Sequence, residues 1–142
     1  MQFGQESVWS KTGIALAVAF AAFGPALAQT ELRPTPDYFA EAVFDMSMAQ
    51  ALARSCNTIS VDPVRSGARA EALLGQLSED GFDATAPHEQ MDDPDGAIEV
   101  LQLAFVERYD LNAPGEEQVC EVAVAEITAE SGIGLLLVEV PG

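Results

Sequence analysis

The sequence predicts an all-α fold: a compact bundle of four or five short helices, stapled by one disulfide, behind a cleavable signal peptide. Three observations carry that expectation. Apolar residues recur at helical spacing wherever a clear period exists. Pro, Gly and Asp fall where helices start and stop. Two cysteines, Cys56 and Cys120, stand 64 positions apart in a chain whose first residues read as an export signal.

The leader comes first. Lys11 and the α-amino group supply positive charge, partly offset by Glu6. An uncharged, mostly apolar run follows from Thr12 to Phe23, and Gly24-Pro25 breaks it. Ala26 and Ala28 place small side chains three and one residues before a cut, which the shallow pockets of signal peptidase require. Cleavage is therefore expected between Ala28 and Gln29. A twelve-residue helix reaches about 18 Å, against roughly 30 Å of hydrocarbon, so the run is too short to span a membrane. No Cys follows the cut, which argues against a lipoprotein. Later apolar stretches such as Ile133 to Val138 are shorter still, so stable membrane insertion after cleavage is not expected.

The expected division is residues 1–28 as signal peptide, 29–35 as an extended lead-in, and 36–142 as a single helical domain. Thr35 is placed to cap the first helix, with Pro36 at its first position and Asp37 at the positive end of its dipole. Phe39, Val43 and Met46 form one stripe, and Phe44, Met48 and Leu52 a neighbouring one, up to Ser55-Cys56. Asn57 to Ser60 reads as a turn. Ser60 or Asp62 caps the second helix, which has Pro63 in its first turn and carries Val64, Ala68, Leu73, Leu74 and Leu77. Asp80-Gly81 ends it with a left-handed cap. Residues 83–93 read as either one short helix or a loop.

Asp93-Pro94 restarts a helix in which Ile98, Leu101, Phe105 and Tyr109 keep strict helical spacing. Asn112 to Gly115 punctuates. The last helix opens on Glu116 and Glu117 and shows a face of Cys120, Val124, Ile127 and Ser131, with Gly132 and Gly134 interrupting it. Val138 and Val140 have strand character but no evident partner, and a lone strand is unstable.

Composition narrows the function. The chain holds 23 acids against 6 Lys and Arg, a net charge of −17. The leader contains one of each, so the mature part keeps that net charge and its bases are all Arg: Arg33, Arg54, Arg65, Arg69 and Arg108. Such a surface repels phosphate backbones and anionic headgroups, which excludes nucleic acid as a partner. It suits a salty medium or a cationic partner. An exported protein meets an oxidising compartment, so Cys56 and Cys120 are expected to pair, tying the end of the first helix to the middle of the last. Closing so long a loop is worth about 4 kcal/mol in the chain-entropy account.

No catalytic set stands out. Asp92-Asp93-Pro94-Asp95-Gly96 resembles part of a calcium loop, but the closing Glu is replaced by Gln102, so a helix start explains it better. His88 is the only histidine, without a nucleophile motif beside it, and reads as a surface residue. It cannot complete a zinc site with two distant cysteines. Arg65 and Arg69 lie one helical turn apart, a spacing that can clamp a carboxylate or phosphate, although their own acids compete. Ser131 to Leu137 forms either a groove or part of the core, and core is the simpler reading. No metal and no cofactor is expected.

Several of these residues carry a resemblance. Cys56-Asn57-Thr58-Ile59-Ser60, Asp80-Gly81-Phe82, and Cys120 followed by Glu126-Ile127 and Ser131-Gly132-Ile133-Gly134-Leu135-Leu136 resemble domain-of-unknown-function family 5333, short exported alphaproteobacterial proteins. The likeness runs from about Phe39 to Leu137. It implies an exported, disulfide-linked protein and no activity. The expectation is thus a non-enzymatic binding or interaction domain, periplasmic or secreted, whose partner is an envelope protein or a small ligand. The rival is a small hydrolase using paired carboxylates on envelope material, recognisable by a cleft that holds two acids.

Overall fold

The computed structural model describes residues 31–142, so the leader and the Ala28–Gln29 cut lie outside the described residues. Four helices make the body: α1 (Asp37–Ser55), α2 (Pro63–Glu79), α3 (Asp95–Tyr109) and α4 (Glu116–Thr128). Two short strands, β1 (Ile59–Val61) and β2 (Leu137–Glu139), pair antiparallel, and 3-10 turns occupy Pro87–Glu89 and Gly134–Leu136. The all-α expectation holds, with this small sheet as its addition.

Helix α1 is the centre of the packing, against α3, α4, β1, α2 and the second 3-10 turn. Its start differs from expectation. Pro36 is itself the extended N-cap residue, and the Thr35 hydroxyl donates to the Asp92 carbonyl instead of capping. Asp92 N–H in turn donates to the Arg33 carbonyl and Arg33 N–H to the Gln90 carbonyl, which lays the lead-in beside Met91. The Arg33 guanidinium stacks 3.8 Å above the Phe82 ring. Tyr38 donates to Asp80 Oδ2 at 2.7 Å, and burial together with that bond pushes its phenol up to about 12.

Helix α2 begins on Asp62, whose Oδ1 accepts from the N–H groups of Val64 and Arg65 at 2.9 and 3.1 Å. At its other end Gly81 takes φ +78°, Phe82 N–H donates to the Leu77 carbonyl, and Gly81 N–H donates to that of Ser78. That is the six-to-one and five-to-two pairing of a Schellman motif, completed by contact of Phe82 with Leu77. The expected apolar stripe of α2 is only partly buried. Leu77 is enclosed, but Val64 and Leu74 face solvent.

Helices α3 and α4 end in the same motif with a non-glycine residue in the left-handed position. Asp110 has φ 51° and Glu130 has φ 50°. Leu111 N–H donates to the Val106 carbonyl, and Ser131 N–H to the Glu126 carbonyl. Helix α4 therefore stops at Ala129 and Glu130, not at the two glycines. Its buried face is Val119, Val122, Ala123 and Glu126, while Val124 is exposed, which corrects the stripe read from the sequence. The apolar pattern cannot show this, because one member of the true stripe is a carboxylate.

Residues Ile59 to Val61 are a strand, not a turn. Ile59 faces Glu139, Ser60 faces Val138 and Val61 faces Leu137. The partner expected to be missing for the C-terminal segment is this one. Three residues show no period of their own, so only the folded chain reveals the pairing.

The main core joins Phe44, Leu52, Phe105, Val122, Ile133 and Leu137. Phe44, Phe105 and Tyr109 stack edge to face, with centroids 6.0 and 5.1 Å apart. Cys56 and Cys120 are at disulfide distance, with Sγ atoms 2.05 Å and Cα atoms 5.2 Å apart, linking the end of α1 to α4. A smaller cluster of Leu77, Phe82 and Met91 anchors the loop after α2. That loop holds one 3-10 turn and no α-helix. Among the described residues, no helix is long and apolar enough to cross a membrane.

Candidate functional site

Two hollows meet at Arg69 and Gly132. The first is a polar cleft of about 430 Å³ where the four helices converge. Asp45 from α1, Arg69 from α2, Arg108 from α3 and Glu126 from α4 line it, together with Ser131. The second is an apolar groove of about 350 Å³ between α2 and the turn Gly134–Leu136.

Glu126 explains the cleft. Its residue is 2% exposed, the only charged residue so enclosed among those described. Tyr109 O–H donates to Oε1 at 2.5 Å and Ser131 O–H donates to Oε2. Gly134 N–H donates to Ser131 Oγ at 2.9 Å. A relay thus runs from the backbone of the 3-10 turn through Ser131 to Glu126 and on to α3. The Schellman turn supplies its geometry. The motif places the residue after the left-handed position over the third-last helical residue, usually as an apolar contact. Here those two residues are Ser131 and Glu126, and the contact is a hydrogen bond. A carboxylate this enclosed is tolerable only when its oxygens are satisfied.

Arg108 Nη1 stands 3.9 Å from Glu126 Oε1, and Arg69 Nη2 stands 3.6 Å from Asp45 Oδ2. Both are looser than a hydrogen bond. The Asp45 side chain is 15% exposed. Burial raises its carboxyl above the usual carboxylate range, Arg69 opposes that shift, and Glu41 and Glu126 add to it. The bond to Glu126 raises the Tyr109 phenol too, with burial second. A side chain on Gly134 would meet the Glu126 carbonyl, a backbone group, so glycine is required there by close approach, whereas one on Gly132 would meet the Asp45 carboxyl, a side-chain end that would have to shift.

The groove is built differently. Ala68 lies between Arg65 and Arg69 on the face of α2 that looks toward Leu135 and Leu136. Arg65 Nη1 reaches the Leu135 carbonyl at 3.5 Å, and its Nε lies 3.3 Å from Asp62 Oδ2. The Ser131 to Leu137 segment is therefore both core and groove. Ile133, Gly134, Leu136 and Leu137 are buried, whereas Leu135 is 51% exposed on the groove edge.

The residues singled out in the sequence fare unequally. Arg65 and Arg69 come together on the groove, each beside its own acid, Asp62 and Asp45. His88 is exposed in the first 3-10 turn, away from Glu126 and Asp45 in the fold's lining residues. Asp93 accepts from Asp95 N–H at 2.9 Å, so that acidic run is used in starting α3. Sequence reasoning missed Asp45, Tyr109 and Glu126 as a group. The available signal was Glu126 itself, which falls in register with Val119, Val122 and Ala123 and five residues before Ser131.

A family model described as a family of unknown function, DUF5333, matches residues 32–138. No curated protein and no solved structure matches the chain.

Proposed function

We propose that this chain, which belongs to the DUF5333 family of unknown function, is an exported, non-enzymatic binding domain that takes a small ligand in the groove between α2 and the 3-10 turn. In this reading residues 1–28 are removed between Ala28 and Gln29, and Cys56 and Cys120 are oxidised in the periplasm or outside the cell. One observation carries the binding role. The groove is a hollow with apolar walls and two arginines in its lining, and its volume falls at the small end of the roughly 300–1,000 Å³ typical of ligand sites.

The hydrolase reading has one observation in its favour: Asp45, raised by burial, shares the polar cleft with Glu126. Against it, both Glu126 oxygens are taken by Tyr109 and Ser131, and general acid–base work needs an oxygen within reach of substrate. Hydrolysis of isolated envelope polymers by the protein, lost in Asp45→Asn, would decide for the enzyme.

Two measurements test the proposal. The protein recovered from the envelope fraction, alkylated without reduction, is expected to have a mass beginning at Gln29 with no alkyl group. A retained leader or two alkylated thiols would overturn the export half. Amide NMR spectra recorded with eight-carbon amphiphiles bearing neutral, cationic or anionic heads test the other half. Saturable shifts confined to Ala68, Arg69 and Leu135 support the groove. Shifts elsewhere or none refute it.

A further inference from the structure

The groove differs in charge from its surroundings. Its lining is Arg65, Ala68, Arg69, Gly132, Leu135 and Leu136, so both charged members are basic. This occurs in a chain with 23 acids against 6 Lys and Arg. Four other hollows on the described surface all include Asp or Glu in their walls.

The two guanidiniums also keep donors in reserve. Arginine presents five N–H donors in a planar fork. Arg65 directs Nε toward Asp62 and one terminal nitrogen toward the Leu135 carbonyl. Arg69 approaches Asp45 with one nitrogen, at 3.6 Å, and its side chain is 44% exposed. The two are four residues apart on a helix, which puts them on one face about one turn from each other. Opposite them, Leu135 is half exposed and Leu136 forms the floor against the core.

We propose that the groove binds an amphipathic monocarboxylate, its short acyl chain lying on Ala68, Leu135 and Leu136 and its carboxylate held by Arg65 and Arg69. This rests on the reading of the groove as the ligand site and names the ligand class. The charge of the walls selects the head, since a planar guanidinium fork matches a carboxylate in two-pronged fashion. The limited volume selects a short chain.

The test uses the chain expressed with its own leader and purified in the form the cell accumulates. Octanoate, octanol, octylammonium and acetate are titrated separately and followed by amide NMR. Octanoate is expected to shift Ala68, Arg69 and Leu135 saturably and to bind at least about tenfold more tightly than octanol, the effect of one charge-assisted contact. Acetate, lacking the chain, and octylammonium, with the wrong charge, are expected to bind at least that much more weakly than octanoate. Arg69→Gln should weaken octanoate about tenfold. Leu135→Asp alters an exposed side chain and should remove binding while the spectrum stays folded. If octanol or octylammonium saturates the same amides as well as octanoate does, the groove reading stands and the carboxylate assignment falls. If no probe shifts those amides, both fall. Equal octanoate affinity in the Arg69→Gln protein overturns the assignment, as does sedimentation showing a dimer that covers the groove with a second copy.

Discussion

Tyr109 donates its phenolic hydrogen to the Glu126 carboxylate across 2.5 Å, joining the last turn of α3 to the last turn of α4. That contact is the centre of a buried polar network, and it dictates what substitution there should do. Tyr109→Phe removes one donor and leaves Oε1 with only the distant Arg108, so a loss of about 1–3 kcal/mol is expected. Glu126→Gln keeps the shape but sets an amide donor against one of the two hydroxyls, and should cost a similar amount. Urea unfolding of the three proteins measures this. If Tyr109→Phe is neutral, the network does not stabilise the fold.

The two tyrosines give a second, spectroscopic handle. Tyr38 and Tyr109 are the only ones in the chain, and both phenols are held above the ordinary value of about 10. A group whose folded pKa is raised contributes stability below its unfolded pKa and loses it as pH rises through the folded one. The fold should therefore weaken in alkali between about pH 10 and the value near 12 set by Tyr38. Phenolate absorbance is expected to appear later in native protein than in urea. Coincident titrations would show that neither burial and the Asp80 bond at Tyr38 nor the Glu126 bond and burial at Tyr109 hold the phenols up.

Backbone geometry at the end of α4 yields opposite expectations for neighbouring positions. Glu130 holds a left-handed conformation that costs a side-chain-bearing residue roughly 1 kcal/mol, so Glu130→Gly should leave stability unchanged or raise it by up to that amount. Gly134→Ala should do the reverse. Its Cβ would enter the space of the Glu126 carbonyl, a backbone group that cannot turn aside, and a loss at or above the roughly 1–3 kcal/mol of overpacking is expected. Thermal melting of both variants checks the pair.

The link between Cys56 and Cys120 closes a long loop through three of the four helices. Replacing both by Ser, or reducing the native protein, should lower unfolding free energy by about 4 kcal/mol, or less where the denatured chain keeps structure. Urea midpoints with and without reductant measure it. Identical midpoints would show that the thiols are unpaired or that the bond adds nothing.

Much of the fold is legible in the chain, for an identifiable reason. Asp62 and Pro63 start α2, and Gly81 ends it, through contacts that span five residues or fewer. The spacing of Phe105 and Tyr109 marks the inner face of α3 in the same way. The site is far less legible. An apolar-pattern reading turns Glu126 outward, because nothing near it in sequence shows that Tyr109 will arrive to share its charge. Arg65 and Arg69 are visible as a pair, but Leu135, which makes their face of α2 into a groove, comes from the far end of the domain.

The sequence by itself determined the four helices, both ends of α2 and the strong negative charge, since caps, turns and periodicity are interactions among near neighbours. Only the tertiary structure decided which face of α4 is inside, that Ile59 to Val61 pairs with Leu137 to Glu139, and that Asp45, Arg69, Arg108 and Glu126 converge. Each of those depends on the free energy of a partner brought from a distance. A buried carboxylate is stable only with its donors in place, and those donors sit on other helices.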